Sequence, residues 1–137
     1  MKKVTARSKE SEDELGASSV ELLVFFPLLL AIILLTVQVS LTWYGNEVAL
    51  STARETARTL RTNANAPGVQ AAAVEHAKEY AARTAHGGLE DLDVQVQVGP
   101  DQVTVTVSGR SMDVFWGLSP RVSATVSGPV ERFKGDL

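Results

Sequence analysis

The chain contains no cysteine, which excludes disulfides, thiolate metal sites, a cysteine nucleophile and a lipid anchor on Cys. Only two histidines occur, His76 and His86. Neither has a second His one helical turn away, so no zinc site assembles, and both read as surface residues. Basic residues are not in excess: 13 Lys and Arg stand against 16 Asp and Glu, for a net charge of -3. That balance, with no basic patch interleaved with aromatics, argues against a nucleic-acid partner. Gly87-Gly88 has no Lys-Ser/Thr after it and is not a phosphate loop, and no Gly-x-Ser-x-Gly elbow occurs. The residues offer no catalytic constellation, no metal and no cofactor. The expected role is structural.

One long hydrophobic run dominates what is present. From Leu22 to Val39 the only polar residues are Thr36 and Gln38. Carried on to Gly45 the run is about 24 residues, or about 36 Å as a helix, enough to span a bilayer with some tilt. Trp43 and Tyr44 close it, where amphipathic rings favour the headgroup layer, and lipid is the expected surround. Pro27 lies in the first turns and removes one helical hydrogen bond, so a local bend is expected there. Lys2, Lys3, Arg7 and Lys9 precede the run and favour a cytoplasmic amino terminus, which places the carboxyl-terminal part outside the cytoplasm. The core is too long for a cleaved secretory signal, and Val37–Ser40 is a poor site for one.

The join between leader and run carries the chemistry. A charged segment ends at Gly16, and Glu21 sits just inside the apolar run. A carboxylate costs on the order of 2.5–3.5 kcal/mol at the centre of a membrane helix and less near the interface. A new amino terminus made by cutting after Gly16 would lie about one helical turn from Glu21 and could pair with it in the same or a neighbouring subunit. The alternative is that the leader stays and Glu21 snorkels to the headgroups.

A charged leader, Gly16, four residues, Glu21, an apolar helix with an early Pro27 and a small α+β tail resemble the TadE-like family. These are minor pilins, or pseudopilins, of tight-adherence, Flp-type pilus systems. The resemblance is good over Leu15 to about Leu60 and looser at Gly128-Pro129-Val130-Glu131-Arg132-Phe133. It implies that a prepilin peptidase cuts after Gly16, that Ala17 becomes the mature amino terminus, and that Glu21 becomes the fifth mature residue. Major Flp pilins carry Tyr after that Glu, whereas this chain has Leu22, and its tail is longer. Both departures favour a minor or accessory subunit. The implied partners are the peptidase, other pilins and pilus assembly or secretion proteins, in homo- or hetero-oligomers, in a system serving adhesion. The alternative function is an uncleaved signal anchor displaying an outer binding domain.

Beyond Gly45 the helical pattern continues, with Ala49, Ala53, Ala57 and Leu60 on one stripe. This stripe meets either another subunit or the chain's own domain. Asn63–Gly68 is a break. Val69 to about Ala85 is a second helix with Val74, Ala77, Ala81 and Ala85 on one face, and His86-Gly87-Gly88 stops it. The period then changes to two. Leu92–Val98 and Val103–Val107 form a hairpin across Gly99-Pro100-Asp101, and Val122–Val126 is a third strand. The expected fold is α+β and pilin-like: a long amino-terminal helix, a second helix, and a three-stranded antiparallel sheet with one apolar face. The expected organisation is a cytoplasmic leader 1–16, a membrane helix with its outer extension 17–62, and a small outer domain 63–137. Phe115 and Trp116 stand in an apolar loop that either meets the membrane or a partner, or plugs one end of the sheet. Phe133 is expected to dock.

Overall fold

The computed structural model describes residues 5–64, 66–114, 117 and 119–131, with side chains from Ser19 onward. Helix α1 (Thr5–Asn63) is followed by α2 (Val69–Ala85) and by strands β1 (Leu89–Val98), β2 (Gln102–Ser111) and β3 (Arg121–Pro129). The strands form one antiparallel sheet in the order β1-β2-β3, giving an α+β fold. The chain divides into two compact units, 1–37 and 38–137.

The first unit is wholly helical across the described residues. Pro27 stands inside α1, where it lacks the N–H that would bond the carbonyl of Leu23. The Thr36 hydroxyl donates to Ile32 O at 2.8 Å, so the polar group of this stretch is satisfied within the helix.

In the second unit the outer half of α1 lies on the sheet. Ala49, Ala53, Ala57 and Leu60 are all buried, so the small-residue stripe packs against the chain's own domain. Thr52 and Thr56 are buried with them. Their hydroxyls donate to Val48 O and Thr52 O, both at 2.8 Å, which removes the cost of burying a polar group. The face buried on α2 is Ala73, Ala77, Ala81 and Ala85. Val74, expected there, is only half-buried, because a strict four-residue step from Ala77 reaches Ala73. Both helices meet one core whose bulk comes from Leu60, Val94, Val103, Val105 and Val107.

The break at 63–68 and the stop at 86–88 fall as expected. Gly68 (φ 75°) precedes α2, and His86 (φ 47°) and Gly87 (φ 84°) end it in left-handed conformations. Strand β1 begins at Leu89 rather than Leu92, through a bulge between Glu90 and Asp93 with Asp91 at φ 49°. The sheet's other face is polar. Thr104 pairs with Ser127 and Thr106 with Thr125, each hydroxyl pair at 3.0 Å.

Candidate functional site

Gly16 and Ala17 lie in the backbone of α1, and Ala17 precedes Glu21 by one turn. Glu21 is exposed and has no ion-pair partner among the described residues. Around it the helix presents hydrocarbon on every side: Leu22 is 69% exposed, Leu23 75% and Phe26 64%. Pro27 is exposed as well. Over residues 19–37 the helix is apolar on every side, and α1 is long and apolar enough to cross a membrane.

Packing against the chain's own fold begins at Gln38, earlier than the sequence pattern suggests. Gln38 is 8% exposed. Its side-chain amide donates to Met112 O at 3.3 Å, and its oxygen accepts from Val114 N at 3.0 Å. The exposed apolar stretch from Ser19 to Val37 is therefore roughly 19 residues, or about 28 Å of helix, close to the ~30 Å hydrocarbon thickness of a bilayer. The signal for Gln38 was visible as a lone amide in an apolar run, but its partners lie far along the chain. Replacing Gln38 with Leu is expected to remove both bonds to the 112–114 segment. The expected cost is about 2 kcal/mol, with faster hydrogen exchange at the Val114 amide. Hydrogen-exchange mass spectrometry over 110–118 checks it.

Trp43 is 70% exposed, as an interfacial ring would be. Tyr44 has a further role: its hydroxyl donates to Thr84 O at 2.8 Å, satisfying one of the open carbonyls at the end of α2. Gly88 allows the ring to pass, since a Cβ there would sit 3.0 Å from Tyr44 Cε1. Phe115 and Trp116 lie outside the described residues, as does Phe133. Their neighbours Met112 and Val114, held by Gln38, are exposed. Both histidines are exposed, and the His86 ring Nδ1 lies 3.0 Å from Thr84 O.

Residues 16–58 match the model of a protein family described as TadE-like protein. The matched segment is TadE-like. It opens on Gly16, contains Glu21, Pro27, Gln38, Trp43 and Tyr44, and ends within the buried stripe of α1. No curated protein and no solved structure matches the chain. The match covers less than a third of the chain, over part of the helix that is long and apolar enough to cross a membrane.

Proposed function

We propose that the protein is a TadE-like minor pilin, or pseudopilin, matured by a prepilin peptidase on the cytoplasmic side. Water cleaves the Gly16–Ala17 peptide bond, leaving a carboxylate on Gly16 and an ammonium on Ala17. The ammonium lies one turn from Glu21 and neutralises it, within one subunit or between neighbours. That pairing removes two charges that are costly in hydrocarbon and sets the axial register of packed helices. The mature helix stays in the membrane or joins a pilus, and the outer α+β domain caps, decorates or helps to start the assembly. Adhesion is the purpose of the system, not an activity of this subunit.

The observation that supports this reading is the Glu21 carboxylate, without an ion-pair partner among the described residues, on the exposed apolar stretch of α1, five positions after the Gly16 on which the family match begins. The proposal predicts that the full chain, made in cells with a working prepilin peptidase, loses its first 16 residues and returns Ala17 as the first residue on amino-terminal sequencing. Made without the peptidase, it keeps its full mass. Full mass in both cases would leave only the uncleaved anchor.

A further inference from the structure

The two edges of the sheet differ in kind. On β1 the ladder starts with a bulge, the left-handed Asp91 and the charges of Glu90, Asp91 and Asp93, all devices that discourage uncontrolled pairing. On β3 the register with β2 is continuous from Arg121 to Pro129, and Arg121 is the strand's one charged residue. Backbone direction on β3 follows from its ends. Val130 N bonds Asp101 O at 3.0 Å and Ser111 N bonds Pro120 O at 3.1 Å, so even-numbered residues of β3 face β2. The N–H and C=O groups of Arg121, Ser123, Thr125 and Ser127 therefore point away from the sheet. All four residues are exposed, and no backbone partner for them exists among the described residues. At the far end Arg61 Nε donates to Pro129 O at 2.9 Å, which closes the edge there.

Charge marks the same margin. Arg54 and Arg58 of α1 line a groove with Val126 and Ser127 of β3. Arg121 stands opposite Arg110 in the ladder, an unfavourable like-charge pair. Arg110 is answered by Asp91 at 3.6 Å, whereas Arg54, Arg58 and Arg121 form no ion pair among the described residues. Glu131, the acid at this margin, is taken by Arg61 at 3.3 Å.

We infer that the β3 edge binds the β1 edge of a second copy of this chain, extending the sheet head to tail. Pairing of β3 with its own copy would bring the unanswered arginines of both chains together. Pairing with β1 brings Arg121, at the start of β3, beside Glu90 and Asp93 at the start of the neighbour's β1. Both strands run the same way in the sheet, each antiparallel to β2, so the new ladder is parallel. Beyond its bulge β1 is regular, and the Gly99 N to Gln102 O bond at 2.8 Å sets Val94, Val96 and Val98 as the residues whose backbone faces outward. A heterologous contact of this kind repeats, and so forms a row or a ring of outer domains.

The inference does not depend on cleavage at Gly16, and the test uses the full, uncut chain in detergent micelles, followed by sedimentation equilibrium. Thr125→Pro removes one outward N–H and no backbone bond to β2, and Thr125→Ala loses the same hydroxyl bond to Thr106 while keeping that N–H. Thr125→Pro is expected to associate about tenfold more weakly than Thr125→Ala. Association contributed by the membrane helix is common to both variants and cancels. Equal association of the two, or no self-association of the parent chain, overturns the inference. Should Thr125→Pro fail to fold, charge reversal decides: Arg121→Asp and Asp93→Arg each weaken association, and the double variant regains it. A double variant no stronger than the singles overturns the inference.

Discussion

Leu60→Ala is expected to lower the thermal midpoint of the 38–137 unit by about 15 °C, from a loss of about 3 kcal/mol. Leu60 is the largest fully buried side chain among the described residues, and the other buried members of its core are alanines and valines, among them Ala53, Ala57, Val103, Val105 and Ala124. Alanine and valine are too short to extend into the space that the truncation opens, so the cost of a cavity adds to the lost transfer energy. Against a typical total of about 5–15 kcal/mol the loss is large. Leu60→Met, which keeps the volume, is expected to cost under about 1.5 kcal/mol. Circular-dichroism melts of the full chain in micelles check both, and similar melting of the Ala and Met variants would show that Leu60 does not fill the core.

Gly16→Val is expected to abolish maturation and leave the mass of the full chain in cells where the parent chain is shortened. The fold gives this variant a clean reading. Gly16 lies in the backbone of α1, and glycine is the poorest helix former after proline, so valine there strengthens the helix by a few tenths of a kcal/mol. Loss of processing then reports on recognition by the peptidase, not on unfolding. Intact-mass measurement of membrane fractions decides it. A shortened Gly16→Val chain would move the cut away from this residue, and with it the pairing assigned to Ala17 and Glu21.

Most of the architecture was legible because period and turn chemistry agreed. The change from a helical to a two-residue period located the sheet, Gly99-Pro100-Asp101 located the hairpin, and His86-Gly87 located the end of α2. The long apolar helix was legible from its unbroken run, and the TadE-like match over residues 16–58 from a local pattern at Gly16, Glu21 and Pro27. What escaped was tertiary. Gln38 reads as a tolerated polar residue in an apolar run, because its two partners are 74 and 76 residues away. Thr52 and Thr56 stand outside the alanine stripe, yet each closes its own hydroxyl onto the preceding turn and enters the core. Leu89–Asp91 broke the alternation of β1, because a bulge with a left-handed aspartate spoils the count of two. The open edge of β3 was invisible for a different reason: which backbone groups face outward is set by pairing, not by side-chain type.

The alanine and valine interior has a thermal consequence. Apolar surface newly wetted on opening is what raises the heat capacity of an unfolded chain, and methyl-sized side chains contribute little of it. The 38–137 unit should therefore have a shallow stability curve, with unfolding enthalpy that changes slowly with temperature. Such a unit changes little in stability over a broad range of temperature.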